Sequence, residues 1–293
     1  MSPLSPSVVP SDSGLSALRE IALSGRPLVP LPRRERERKL ELYLDFLRRR
    51  DGVPDRAARR LSKREPLFAE LARDPVLWRA DLDRAAFERY LRARPPADLD
   101  PRLLWLLAAA KANRGERWAI ERELARREAR GGPTDAWSEY IGIEETYHTR
   151  ILADACRSVG FEAPLLDPPP GQRVFIRALL PLPRRLRLPL TLASEIFGCV
   201  AFALLLERTD VFAERPAVAG RLRRLVREIL TDEAGHVLYC SSRLGAAGLA
   251  AARLAVPLAG RALLRDLPEF AHLAGGERAF LERLAGFDLA RIG

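Results

Sequence analysis

Two of the three histidines in this chain stand in the same local pattern, and no other feature restricts its folding as strongly. Glu145-Thr146-Tyr147-His148 and Glu233-Ala234-Gly235-His236 both read Glu-x-x-His. Each is directly preceded by a further acid, Glu144 or Asp232, and lies in a largely apolar helical run. On a helix, residues i and i+3 project from nearly one face, so each copy presents a carboxylate and an imidazole to a single point. Such groups are costly to bury unpaired. Two helices facing one another across a core can instead offer both pairs to metal ions.

The rest of the chain supplies helices to complete that arrangement. Its apolar runs are long, Leu/Ala-rich and poor in β-branched residues, which predicts an all-α fold. Asp100-Pro101 reads as an N-cap followed by proline at the first helical position, opening a helix that runs to about 130 and stops at Gly131-Gly132-Pro133. Thr134 or Asp135 caps the next, which carries the first motif and ends before Gly160. Residues 161–189 are proline-rich and read as a long, irregular crossover. A third helix is expected over about 191–208 and a fourth, with the second motif, over about 217–243. Two helical hairpins joined by a long crossover have the connectivity of a ferritin-like four-helix bundle. The expected organisation is a loose tail over 1–30, accessory N-terminal helices over 31–100, the bundle over 101–245 and C-terminal helices over 246–293. The accessory helices are placed at about 32–50, with Leu40, Leu42, Leu44 and Leu47 forming one apolar face, and at about 55–73 and 81–94. No chemistry is recognisable in them.

A dinuclear site of this kind needs one Glu from each remaining helix. On the third helix Glu195 lies in Leu192-Ala193-Ser194-Glu195-Ile196-Phe197, where a lone carboxylate would be expensive and a metal would neutralise it. Glu207, beside Arg208 and Asp210, reads as a solvated surface acid. On the first helix Glu116 shares a face with Ala109, Asn113, Ile120 and Leu124 and stands at about the level of His148, whereas Glu121 faces Arg114, Arg117 and Glu128. Glu116 is therefore the choice and Glu123 the reserve. The metal ligands expected are Glu116, Glu145, His148, Glu195, Glu233 and His236. The extra acids are read as partners of the non-coordinating ring nitrogens across the core, Asp232 to His148 and Glu144 to His236, fixing the tautomers. Cavity walls are assigned by helical phase to Ala109, Ile120, Tyr147, Ile196, Cys199 and Ile229.

Composition excludes more than it assigns. The net charge is +10, but it comes from arginine spread through nearly every segment, and there is no zinc-finger spacing or aromatic ribonucleoprotein motif, so no specific nucleic-acid partner is expected. Three well-separated cysteines give neither a disulfide framework nor a zinc knuckle, and a reducing cytoplasm is the simplest compartment. The Ser/Pro-rich start does not read as a secretory signal. The apolar runs 189–206 and 244–264 approach membrane-span length, but the first carries Glu195 and the second Arg253, Pro257 and Arg261; buried core helices account for them, and a peripheral membrane contact stays open. Ser-His-Asp catalysis and phosphate-loop motifs are absent.

Over about 101–243 the chain resembles the ferritin-like di-iron carboxylate superfamily, the six proposed ligands matching its pattern one by one. Glu144-Glu145-Thr146-Tyr147-His148 followed by Gly160, and Asp232-Glu233-Ala234-Gly235-His236, look most like bacterial di-iron oxygenases of the p-aminobenzoate N-oxygenase type. Those enzymes carry a further histidine one turn before the last Glu, where this chain has Ile229. The resemblance implies two iron ions, or a manganese–iron pair, and O2 as co-substrate. It implies hydroxylation or N-oxygenation of a small organic or carrier-bound metabolite, with electrons from an external reductase or ferredoxin; a homodimer stays open as the assembly. Tyr147 is the candidate proton or electron donor, with packing as its alternative. A ferritin-like metal or ligand binder without turnover, and a basic helical membrane-associated module, are the competing readings.

Overall fold

The computed structural model describes residues 26–51, 64–112, 114–130 and 136–292, except for the side chains of 51, 64, 116, 123, 124, 126–130 and 136–140. Among the described residues there are helices and no strand. Helices α1 (Arg33–Asp51), α2 (Arg64–Arg73) and α3 (Arg84–Arg92) precede α4 (Pro101–Ala112) and α5 (Arg114–Arg130), which flank residue 113. They are followed by α6 (Ala136–Ser158), α7 (Pro170–Leu179), α8 (Arg184–Glu207) and α9 (Pro216–Ser242). Helices α10 (Ala246–Asp266), α11 (Pro268–Leu273) and α12 (Glu277–Ala285) complete the order. Residues 1–25 of the expected tail, much of the expected 55–73 helix, and the 131–135 turn with its caps lie outside the described residues.

Helix ends follow local chemistry. Asp100 opens α4 by accepting a 2.8 Å hydrogen bond from the Arg102 backbone N–H, with Pro101 where no N–H is required. Gly160 closes α6 in the left-handed conformation, φ +81°, while the Phe161 N–H reaches back to the Cys156 carbonyl at 3.1 Å. Asp83 caps α3 through the Ala86 N–H at 2.9 Å.

The motif-bearing helices α6 and α9 pack directly on each other, α8 runs along α9, and α4 and α5 pack on α6. Fully buried Trp105 ties α4 to α8 by donating its indole N–H to the Leu205 carbonyl at 2.8 Å, with its ring edge-on to Phe212. Phe197 of α8 meets Phe270 and Phe280, anchoring α11 and α12. Burying each such ring contributes about 1.5–3 kcal/mol.

Two expectations are corrected. The crossover is not irregular throughout: Pro170 starts α7, and α8 begins at Arg184 with Pro189 inside it. Pro189 is tolerated because Arg185, whose carbonyl loses its partner, is exposed to water. The buried face of α1 is also not the leucine stripe. Tyr43, Phe46 and Leu47 are buried, while Leu40, Leu42 and Leu44 are only half-buried, because α1 lies against α9 along its aromatic side.

Among the described residues, two helical stretches are long and apolar enough to cross a membrane by length and composition. Of the most apolar 18 residues in each, 72% are buried inside the protein in Arg184–Phe212 and only 33% in Ala246–Asp266.

Candidate metal centre

The second motif lies in the middle of α9, where every residue from Ile229 to Cys240 is buried. The first lies on the inner face of α6, with Glu144, Glu145 and His148 buried. Because each motif keeps its Glu and His one helical turn apart, the α6–α9 contact brings all four groups together. His148 Nδ1 stands 3.1 Å from Glu145 Oε2 and 3.3 Å from Glu233 Oε1. His236 Nδ1 stands 3.0 Å from Glu145 Oε1 and 3.4 Å from Glu195 Oε2. The two oxygens of Glu145 thus face two different imidazoles, whose ring centres are 6.0 Å apart.

The other ring nitrogens are tied across the core. His148 Nε2–H donates to Asp232 Oδ2 and His236 Nε2–H to Glu144 Oε2, both at 2.9 Å. This crossed pairing places the proton on Nε2 of each ring and leaves Nδ1 as the inward donor atom.

Ligand atoms of Glu145, Glu195, Glu233 and His236 all lie within 4.8 Å of one another, and this buried group could hold a metal ion. Among the described residues, Glu195 Oε2, both oxygens of Glu233 and His236 Nδ1 make no aligned hydrogen bond despite their burial. Glu145, Glu195 and Glu233 crowd three buried carboxyl groups around two imidazoles. Buried carboxylates at that density are stabilised by a cation. The donor set of carboxylates and imidazoles suits iron, manganese or zinc rather than a soft metal.

The titration shifts express the same crowding. Burial, followed by the Glu145 charge, pushes Glu233 up to about 8. Burial also opposes ionisation of Glu145, but the His148 and His236 charges and hydrogen bonds outweigh it and hold its carboxyl well below the usual range. Burial disfavours charge on both imidazoles, yet the surrounding carboxylates raise them well above an ordinary histidine, with Glu145 foremost for His148 and Glu144 for His236. Burial, reinforced by Glu233 and Glu195, raises Cys199, and burial followed by Glu195 raises Cys240. Both thiols are therefore held protonated in the metal-free protein.

Of the six expected ligands, the structure gathers Glu145, Glu195, Glu233 and His236 in one group, with His148 against Glu145 and Glu233. Glu116 is on α5, which packs on α6, but its side chain and that of the reserve, Glu123, lie outside the described residues. Tyr147 is half-buried and stacks on Phe68 of α2, ring centres 5.3 Å apart. Ile196, Cys199 and Ile229 are fully buried, while Ala109 lines a groove with Arg114, Thr149 and Leu152.

Residues 31–100, in which no chemistry is recognisable from the sequence, reach the centre through α1. Arg50 of α1 forms a buried ion pair with Asp232 and a second with Glu228 at 2.9 Å, so it anchors the acid that orients His148. Tyr43, one face along the same helix, is buried above Gly235. Its hydroxyl makes no hydrogen bond among the described residues, and burial, with the nearby Glu144 charge, raises its pKa well above the usual phenol value. The signal was the spacing Lys39, Tyr43, Phe46, Arg50, one continuous helical face. Two glycines make the close approaches possible. A Cβ at Gly198 would lie 2.5 Å from Glu233 Oε2, and one at Gly235 would lie 2.6 Å from the Tyr43 ring.

No protein-family model, curated protein or solved structure matches this chain.

Proposed function

We propose that the chain is a non-haem di-iron oxygenase built on a ferritin-like four-helix bundle, oxidising a small organic or carrier-bound metabolite. The observation that carries this reading is Glu145, whose two oxygens face the inward nitrogens of two histidines on opposite helices. In this reading Glu145, His148 and Glu233 would hold one cation, and Glu145, His236 and Glu195 would hold a second. Glu116 is the remaining ligand in this reading. Reduced iron, when bound, supplies the electrons that activate dioxygen.

The residues of the chain do the rest. Asp232 and Glu144 hold the imidazoles in the tautomer that presents Nδ1 inward, and Arg50 holds Asp232 in place through their ion pair. Ile196, Ile229 and Phe202 keep water from the centre, all three being buried. An external reductase or ferredoxin returns the reducing equivalents. Manganese with iron would use the same donor set.

The test is anaerobic loading with ferrous iron, metal counting, and an oxygen pulse followed by absorbance. About two irons per chain and an oxygen-dependent absorbance transient support an oxygenase. Stoichiometric iron that is inert to oxygen assigns the chain to ferritin-like binding without turnover. Failure to take up stoichiometric metal refutes both readings.

A further inference from the structure

We infer that α10, together with the exposed connection leading into α8, seats the protein on an anionic membrane surface. This inference is independent of the metal reading. Helix α10 buries Leu249, Ala252, Val256 and Leu264 against the protein, but its other side leaves Leu254 73% and Leu258 66% exposed. These two leucines are one turn apart, and Arg253, Arg261 and Arg265 are exposed around them. No acid occurs from 234 to 265, so every charge there is an arginine.

The connection leading into α8 repeats the pattern. From 168 to 194 there are five arginines and no acid. Val174 and Phe175 of α7 are exposed, as is Leu186 in the first turn of α8, the helix against which α10 packs. A surface that combines exposed large apolar groups with cations of one sign matches a bilayer carrying anionic headgroups. The leucines enter the acyl boundary while arginines reach the phosphates.

Two other occupants fit less well. A second copy related by a two-fold axis would place this face on itself, setting Arg253, Arg261 and Arg265 against their own copies with Asp266 as the one acid of α10 to answer them. A bilayer-crossing α10 would strip its buried side from the core, and Arg253, bonded to the Leu28 carbonyl at 2.9 Å, would lie within the span. The helix therefore lies on the membrane.

The experiment is co-sedimentation of the full chain with vesicles of phosphatidylcholine alone or with about one third phosphatidylglycerol. The protein is expected to sediment with the anionic vesicles and to be released by about 0.5 M salt. Leu254→Ser/Leu258→Ser should weaken partitioning at least about tenfold. Arg253→Gln, Arg261→Gln and Arg265→Gln should each weaken it about fivefold. Far-UV circular dichroism should stay at the wild-type value, since all five side chains lie on the exposed side of α10. Phe175→Ser offers an independent loss should the double variant misfold. Equal partitioning to both vesicle types, or no partitioning, overturns the inference. So does a wild-type dimer that the leucine substitutions convert to monomer, which would make the face a contact between copies. Binding sensitive to the arginine but not the leucine substitutions also overturns it, indicating a soluble polyanion instead.

Discussion

Replacing Gly198 by alanine separates the metal centre from the fold that carries it. The added methyl would stand 2.5 Å from Glu233 Oε2 and 3.1 Å from its carboxyl carbon. Ordinary contact begins at about 3.4 Å, so the carboxylate must retreat by about 1 Å, whereas metal–ligand distances tolerate about 0.2 Å. Disturbing a ligand's hydrogen-bonded support typically costs about 10–100-fold in affinity, so displacing the ligand itself should cost at least about 100-fold. Stability moves differently. Alanine is favoured over glycine inside a helix by about 1 kcal/mol, which offsets the crowding of a single carboxylate. The chelated variant should therefore melt within about 3 °C of chelated wild type. Ferrous affinity, read anaerobically by chelator competition, and the melting of chelated protein provide the two readouts. Wild-type affinity in Gly198→Ala would refute the placement of Glu233 at a metal; an affinity loss matched by a collapse in melting temperature would show that the glycine serves packing alone.

Other consequences are equally measurable. Arg50→Met leaves Asp232 and Glu228 without their shared cation and should cost about 3 kcal/mol, the lower end for breaking a buried pair because Glu228 is partly exposed. Denaturant unfolding checks it, and Arg50→Lys should recover part of the loss. Lys111 and Glu269 form an ion pair at 2.5 Å with both side chains buried, so Lys111→Ala should destabilise strongly. Lys111→Met/Glu269→Leu should restore most of the loss in the same assay. The pH dependence of the metal-free chain follows from the centre. Glu233 is raised to about 8, so folding with it ionised carries a penalty that is absent below about 4.5 and grows as pH rises toward 8. Stability from the protonated His148 and His236 is full below their unfolded pKa and is lost as pH rises through their raised values. Glu145 acts oppositely, its contribution being lost only as pH falls below the ordinary carboxylate range. Chelated protein should accordingly melt lower at pH 8 than at pH 5.5, and an unchanged or higher melting point at pH 8 would count against the cluster.

Helical character and the chemistry of the cluster were legible in the sequence because both depend on local spacing. A carboxylate and an imidazole three residues apart share a helical face wherever that helix sits, and Leu/Ala-rich runs form helices in most contexts. Glu195 was readable for a related reason, as an acid among apolar neighbours must find a counter-charge. The same local signals carried Gly160 as a helix stop and Asp100 as a start. What sequence could not decide was contact between distant segments. That Arg50 of α1 would reach Asp232, 182 residues away, depends on how α1 packs on α9. That Gly198 and Gly235 are small for the sake of Glu233 and Tyr43 is a matter of interhelical distance, invisible in a one-dimensional pattern. The leucine stripe of α1 misled because hydrophobic periodicity ranks faces by side-chain type, whereas packing chose the face bearing Tyr43 and Phe46. The sequence by itself determined which groups the core must neutralise. Only the tertiary structure decided that Glu145 would stand between two imidazoles, because that position exists only when α6 and α9 meet at one particular level.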